Sequence, residues 1–299
     1  MILPVTRAPD DRPESRRDTT RAMPYDRAVV APAAGLPEAS IEVVDTIDST
    51  NLELMRRPMG PGGHRCVLLA GMQVAGRGRR GRVFISDPDD SLTVSVACDD
   101  PFDPAAPALT GLSIALGVEV ARTLAPLVPG IGLKWPNDLL RDGRKVGGML
   151  IESRLSPQMR RIVAGQGLNL RMPAALAERI GQPVAGLFDR HPMPVSRDVL
   201  AGRIAGGLIR RIERFLREGF GDTASEWAPF DVLAGREVSV IESGRPTLVG
   251  IARGVGPDGC LLLQTSEGVV EVSVGDVSAR LGDLRQAPAA GASARGAGA

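Results

Sequence analysis

The chain has few of the residues on which many enzyme sites depend. It contains two histidines, His64 and His191, and three widely spaced cysteines, Cys66, Cys98 and Cys260. So few of these residues argue against a Cys/His metal cluster and weaken any histidine-based triad. An odd number of scattered cysteines is typical of reduced thiols. We therefore predict a cytoplasmic protein.

The chain also lacks a strong net charge and long apolar runs, and it has few aromatic residues. The formal net charge is +1, and there are two tryptophans, one tyrosine and six phenylalanines. A near-neutral chain with few aromatic rings is a poor candidate for coating DNA or stacking on RNA bases. No apolar run is long enough to cross a bilayer, so we predict no membrane association.

Lysine is the rarest basic residue. Of 36 basic residues only Lys134 and Lys145 are lysines, and all the others are arginines. An ammonium is a compact point charge, whereas a guanidinium is larger, planar and directional. We predict that these two lysines lie where a guanidinium would not fit.

The segment from Met72 to Arg82 is the most unusual stretch. Its positions 76–82 are three glycines and four arginines. Glycine lets the backbone approach a ligand, and arginine matches carboxylate or phosphate oxygens. Two interpretations follow from these residues alone: a loop that closes over an anion, or a solvated basic loop that contacts RNA or binds nothing.

A second polar cluster, Asp48-Ser49-Thr50-Asn51, follows a predicted strand over 41–47. All four residue types favour the N-cap of a helix. One cap needs only one of them, so the others are candidates to face a polar ligand.

The rest of the pattern predicts four segments. We expect a disordered N-terminal extension over 1–38, a main domain over 39–234, a small antiparallel barrel over 235–285 and a disordered tail over 286–299. The main domain should contain strands over 66–70, 91–97, 145–152 and 161–169, a short strand over 132–138 that is broken by Pro136, and helices over 109–128 and 196–218. Four glycines of this predicted sheet leave space for a ligand on its face: Gly147, Gly148, Gly165 and Gly167.

Five motifs resemble the biotin protein ligases in order and spacing. They are Asp48–Asn51, the loop from Gln73 to Arg82, Lys134-Trp-Pro-Asn-Asp138, Lys145 with Gly147-Gly148, and Gly165-Gln-Gly-Leu-Asn169. The resemblance covers about residues 40–282 and implies an α+β fold. That fold is a mixed sheet flanked by helices, related to class II aminoacyl-tRNA synthetases, plus a small C-terminal SH3-like barrel. No DNA-binding domain precedes the motifs, so the monofunctional class without DNA binding is expected.

The resemblance also implies a reaction. Biotin and MgATP give biotinyl-5′-AMP and pyrophosphate, and the adenylate then acylates one lysine of a biotin carboxyl carrier protein, such as the carrier domain of acetyl-CoA carboxylase. A homodimer is compatible with the family. Magnesium is expected to enter with ATP, and no protein residue is assigned to it.

The resemblance assigns roles residue by residue. Lys145, Arg79 and Asp138 are implied to be catalytic. Biotin would be bound by Ser49, Thr50, Asn51, Gln73, Arg77, Gly78, Arg79 and Lys145. The nucleotide would be bound by Lys134, Asn137, Asp138 and Asn169.

Two features depart from the family pattern. Phe84 and Ser86-Asp-Pro-Asp-Asp90 replace a tryptophan and a Ser-Pro-x-Gly segment after the loop. Some family members stack adenine on a tryptophan after the position of Asn169, but between Leu170 and His191 this chain offers only Phe188 as an aromatic residue. The adenine contact therefore stays unassigned.

Two other functions remain as alternatives. A lipoate or octanoate ligase would share the fold and the adenylate chemistry. The Ser-Thr-Asn cluster argues against it, because a ureido ring needs polar partners and an alkyl chain does not. A non-enzymatic RNA-binding protein with a basic loop is the other alternative.

Overall fold

The computed structural model describes residues 24–180, 182–190, 192–242, 247–273 and 277–281. Residues 1–23 of the expected extension and the expected tail over 286–299 lie outside this part. The helices are α1 (Arg27–Ala34), α2 (Thr50–Arg56), α3 (Leu112–Leu124), α4 (Ala174–Ile180), α5 (Arg197–Glu218) and α6 (Thr223–Trp227). The strands are β1 (Ile41–Ile47), β2 (His64–Gln73), β3 (Ser91–Pro101), β4 (Ile131–Lys134), β5 (Asp138–Arg141), β6 (Arg144–Leu155), β7 (Met159–Asn169), β8 (Glu237–Glu242), β9 (Leu248–Val255), β10 (Leu261–Thr265), β11 (Gly268–Val272) and β12 (Val277–Leu281).

The main domain is built on a seven-stranded sheet with the order β1-β2-β3-β7-β6-β5-β4. Strands β1 and β2 are parallel, and every other neighbouring pair is antiparallel. The prediction of a mixed sheet flanked by helices is confirmed. Asp142 and Gly143 form the turn between β5 and β6, with φ of 48° and 75°.

The two faces of this sheet are covered differently. Alternate residues of the strands point to opposite faces, so Val67 and Leu69 join the core under α1, α3 and α5. Cys66 and Leu68 instead join a smaller cluster with Leu54 of α2. The short helix α2 leaves much of the second face uncovered, and this is where a ligand can reach the sheet.

Helix α5 follows its predicted pattern closely. The Ser196 hydroxyl accepts a hydrogen bond from Val199 N at 3.2 Å, as expected of an N-cap. Its buried residues recur at helical spacing along one side. This amphipathic pattern is why the sequence indicates the helix so clearly.

The prediction of disorder up to residue 38 is wrong for residues 24–38. Helix α1 packs on α5, where a Cβ at Gly202 would come within 2.5 Å of Val30 O. Tyr25 is buried, and the Arg197 guanidinium lies 4.5 Å from its ring centroid and donates to its hydroxyl. The helix is short and contains Pro32, so local pattern alone could not reveal it.

The C-terminal strands form a second sheet with the order β11-β10-β9-β8-β12. It is antiparallel throughout, as predicted, but its outer strands β11 and β12 are not paired with each other in the described residues, so it is an open sheet there. Val238 and Leu261 belong to the same buried cluster as Leu116 of α3. The second sheet therefore shares a core with the main domain.

Within the described residues, no helix has both the length and the apolar character needed to span a bilayer.

Candidate functional site

A cavity of about 910 Å³ lies on the sheet face that α2 leaves uncovered. Every residue assigned above to the site lines this cavity. They are Ser49, Thr50, Asn51, Gln73, Arg77, Gly78, Arg79, Lys134, Asn137, Asp138, Lys145 and Asn169. Residues separated by more than a hundred positions are thus brought around one space.

Glycines form the floor of the cavity. Gly165 lies opposite Ser95 across the β3–β7 pair, and Gly167 lies opposite Gly148 across the β6–β7 pair. A Cβ at Gly167 would lie 2.7 Å from the ring of Phe84, which covers this part of the floor. The aromatic residue that departs from the family pattern therefore still lines the cavity.

The N-terminal end of α2 forms one wall. Ser49 caps the helix by accepting a hydrogen bond from Leu52 N at 3.4 Å, so its hydroxyl has the structural role that the residue type predicts. Thr50 and Asn51 are buried and lie at the cavity. The cluster therefore serves both as a cap and as part of the wall.

A hydrogen-bond network fixes this wall. Gln73 Oε1 accepts from Thr50 N at 2.8 Å, and the Thr50 and Ser95 hydroxyls lie 2.7 Å apart. Ser95 donates to Asn51 Oδ1 at 2.6 Å, while Asn51 Nδ2 donates to Leu150 O at 3.1 Å. Ser95 was not assigned from sequence, although a buried hydroxyl inside the apolar pattern of β3 was an available signal.

A buried ion pair holds the other end of α2. Arg161 donates to both carboxylate oxygens of Asp99 at 2.6 Å and also to the carbonyls of Leu54 and Pro58. Burial alone would raise the pKa of the Asp99 carboxyl, but hydrogen bonds from Arg161 and Gly60 hold that pKa below its ordinary value. The helix that carries Thr50 and Asn51 is thus fixed from both ends.

The arginine loop folds back on itself across the cavity. Gly78 N donates to Arg82 O at 2.7 Å and Phe84 N donates to Gly76 O at 2.9 Å. Ser86 Oγ then accepts from Gln73 N at 2.7 Å, which ties the end of the loop to its start. This hairpin places Arg77 and Arg79 in the lining of the cavity.

The cationic side of the cavity is formed by β5 and β6. Lys145 Nζ lies 2.6 Å from Asp138 Oδ1. Arg79 donates to Asn137 Oδ1 at 3.4 Å, and Asn137 Nδ2 donates to Met149 O at 2.7 Å. Asp138, Lys145 and Arg79 are therefore gathered on this side of the cavity, as expected of a site for phosphate and carboxylate oxygens.

The side of the cavity beyond Lys145 is aliphatic. Half-buried Met172, Leu176 and Ile180 line it together with Val184, and Val184 forms a parallel bridge with Lys145. Phe188 is instead 2% exposed and lies in the main core. Helix α4 was not predicted, because its seven residues are too few to show a clear period.

The described residues contain no group of three or more His, Cys, Asp or Glu side chains that could hold a metal ion. Asp138 is the carboxylate lining the cavity. A single carboxylate fits Mg²⁺, which usually binds through one or two carboxylates together with substrate phosphates. The site thus suits a metal that arrives with a nucleotide.

Known proteins resemble this chain over both of its sheets. A model of the biotin/lipoate A/B protein ligase family matches residues 45–169, and a model of the biotin protein ligase C-terminal domain matches residues 234–280. The bifunctional ligase/repressor BirA of Salmonella typhimurium is 34% identical over 244 residues, covering 80% of this chain and 74% of that protein. The chain belongs to the biotin protein ligase family. The biotin–[acetyl-CoA-carboxylase] ligase of Mycobacterium tuberculosis is 32% identical over 249 residues, covering 82% of this chain and 90% of that protein.

The fold matches solved members of this family. A biotin protein ligase from Aquifex aeolicus in complex with biotin and ATP has a TM-score of 0.67 and 24% identity, covering 81% of this chain and 99% of that one. The expected mixed sheet flanked by helices and the antiparallel C-terminal sheet are therefore confirmed, although the C-terminal sheet is open rather than a closed barrel in the described residues. These relatives do not favour the lipoate or octanoate ligase alternative.

Proposed function

We propose that the protein is an ATP-dependent biotin protein ligase. It activates biotin as biotinyl-5′-AMP, releases pyrophosphate, and transfers the biotinyl group to a lysine of a biotin carboxyl carrier protein. The observation that carries this proposal is one cavity that has a buried amide and hydroxyl network on one wall and Lys145, Asp138 and Arg79 on another.

ATP–pyrophosphate exchange tests this proposal directly. Biotin should support exchange, whereas lipoate and octanoate at equal concentration should give at most a few per cent of that rate. The physical reason is that a buried polar wall pairs with a ureido ring but is left without partners by an alkyl chain. Exchange with lipoate or octanoate as fast as with biotin would contradict the assignment.

The biotin head group is placed against Thr50, Asn51 and Gln73 in this proposal. Their side chains offer both donors and acceptors, as a ureido ring requires. The glycines of the floor allow a flat bicyclic ring to lie close to the sheet. The valeryl chain then runs toward Lys145 and Arg79, which receive its carboxylate.

The chemical step brings two anions together. The biotin carboxylate attacks the α-phosphorus of ATP, a carboxylate–phosphate bond forms, and pyrophosphate leaves with the electrons of the α–β bridge. Lys145 and Arg79 reduce the repulsion and hold both groups in line. Asp138 and the ATP phosphates would hold Mg²⁺, and the ion would supply further positive charge.

Asp138 has a second role when no ligand is bound. Its carboxylate lies against Lys145 at 2.6 Å, so the ammonium is already held at the position where the phosphate oxygens would arrive. Phosphate oxygens can then exchange for this partner without a large movement of the lysine. Pre-positioned charge of this kind lowers the cost of reorganisation during the reaction.

We place the adenine on the aliphatic side formed by Met172, Leu176, Ile180 and Val184. Leu176→Ala should raise the KM for ATP about fivefold, or about 1 kcal/mol, because apolar contact with the base is lost. The KM for biotin should change less than twofold. The same substitution at exposed Leu155 serves as the control, and equal effects of both variants would contradict this placement.

The arginine loop should retain the adenylate. In a variant with Arg77→Gly and Arg79→Gly, we expect adenylate to form, more slowly because Arg79 is lost, and then to escape, because closure over the cavity weakens. Free biotinyl-5′-AMP would appear in solution and label lysines of an added bystander protein. Adenylate held as tightly as in the wild type would show that the loop does not enclose it.

Two relatives are named as ligases that act on acetyl-CoA carboxylase, which supports the proposal that the acceptor is a lysine of a carrier domain. Homodimer formation, the absence of DNA binding and the cytoplasmic location remain predictions.

Cys66, Cys98 and Cys260 are all free and buried, and burial beside Glu42 raises the pKa of the Cys66 thiol to about 12. Such thiols are poor nucleophiles, in agreement with a mechanism that uses none of them.

A further inference from the structure

The segment Lys134–Asp138 connects the cavity to the C-terminal sheet. Lys134, Asn137 and Asp138 line the cavity, and Trp135 between them is 1% exposed. The indole Nε1 of Trp135 donates to Gly259 O at 3.0 Å. Gly259 lies in the turn between β9 and β10, 124 positions along the chain. The backbone of the β9–β10 turn is thus hydrogen-bonded to the segment that contains the candidate nucleotide-binding residues.

The β9–β10 turn is closely packed against the main domain where it makes this contact. Gly259 has φ +74°, and a Cβ there would lie 2.6 Å from Gly111 Cα and 3.1 Å from the Phe220 ring. Gly111 has φ +81°, and its own Cβ would lie 2.5 Å from the Phe220 ring and 2.9 Å from Asp258 O. Two glycines therefore face each other across the junction, where no side chain fits.

A second contact fixes the other end of the same segment. Val232 N donates to Leu133 O at 3.0 Å, and Leu133 forms a parallel bridge with Asp231. Residues 231 and 232 lie in the connection that leads into β8. Leu133, which precedes Lys134, and the side chain of Trp135, which follows it, are therefore both held by the C-terminal part of the chain.

From these contacts we infer that the β9–β10 turn positions the nucleotide subsite through Trp135, and that nucleotide binding in turn stabilises the docking of the C-terminal sheet. Gly259 and Trp135 are positioning residues, since they act through Lys134, Asn137 and Asp138. Coupling of this kind is reciprocal, because the same contact energy enters both equilibria. The inference rests on the proposed nucleotide role of these three residues.

The test compares two glycine variants in the same domain. Gly259→Ala pushes the turn away from Gly111 and Trp135. Gly254→Ala places alanine at a similarly positive φ of +96°, where no atom lies within 4 Å of the new Cβ, so it reproduces the backbone strain alone. Pyrophosphate exchange should show a KM for ATP about tenfold higher in Gly259→Ala, with the KM for biotin within twofold of wild type. Gly254→Ala should change neither constant by more than twofold.

Trp135→Phe is the milder second variant, which keeps an aromatic ring and removes only the N–H donor. We expect its KM for ATP to rise about threefold. The inference is overturned if neither Gly259→Ala nor Trp135→Phe changes the KM for ATP, or if the KM for biotin rises equally. An equal rise would mean that these residues only support the fold.

Hydrogen exchange tests the reciprocal effect without any catalysis. In the wild type, α,β-methylene-ATP should slow exchange of the turn amides, such as Gly259 N, which donates to Gly256 O at 2.9 Å. This slowing should be lost in Gly259→Ala and kept in Gly254→Ala. Absence of slowing in the wild type under saturating analogue would overturn the linkage. A wild type that slows exchange but lacks biotin-dependent pyrophosphate exchange would instead count against the proposed ligase activity.

Discussion

Lys145→Arg should reduce adenylate formation about a hundredfold, although it keeps the charge. Lys145 Nζ lies 2.6 Å from Asp138 Oδ1 inside the cavity, beside the Val184 backbone. A guanidinium is larger and planar, and it cannot place its charge at the same point among phosphate and carboxylate oxygens. Losing a transition-state contact of this kind costs about 3 kcal/mol. Single-turnover formation of biotinyl-5′-AMP measures the effect.

The neighbouring residue gives a matched control. Arg144 is exposed on the same hairpin, so Arg144→Lys exchanges the same two side-chain types outside the cavity and should keep at least half of the activity. Reductive methylation provides an independent test, since Lys134, Lys145 and the N-terminal amine are the only targets. Biotin with ATP should protect Lys145. A Lys145→Arg enzyme with near-normal pyrophosphate exchange would contradict the catalytic role of Lys145 and the inference drawn from the scarcity of lysine.

Gly165→Ala should weaken biotin binding by about a hundredfold while leaving a folded protein. The added Cβ would overlap Asn51 Oδ1 and lie 3.0 Å from Ser95 Oγ. Asn51 cannot turn away freely, because it accepts from Ser95 and donates to Leu150 O and to Glu152. Displacing it leaves buried polar groups without partners, and this costs about 3 kcal/mol. Isothermal titration with biotin measures the loss.

The control for this variant is Gly117→Ala in α3. A Cβ at Gly117 would make ordinary contacts of 3.6 Å with Leu133 and Trp227. Alanine is also the better helix former, so stability should be kept or slightly raised. Gly165→Ala with wild-type biotin affinity would show that the ureido ring does not lie on this part of the floor.

The sequence by itself indicated candidate residues for the site. The arginine loop, the Ser49–Asn51 cluster and the two lysines stand out by residue type, whereas Gln73 and Asn169 were assigned only through the resemblance to the biotin protein ligases. Most strands and helix α5 could also be predicted, since their apolar periodicity is a local property of the chain. Residues 1–23 and the expected tail lie outside the described part, so those predictions stay predictions.

Tertiary structure decided what depends on distant contacts. Helix α1 forms because Tyr25 and Val30 are buried against β-strands and α5, which no local pattern records. Ser95 joins the site only because β3 pairs with β7 and faces Asn51. Phe188 lies in the core while aliphatic residues of α4 line the cavity. The hydrogen bond from Trp135 to Gly259 joins residues 124 positions apart. Sequence shows which residues carry chemistry, whereas packing decides which of them face one another.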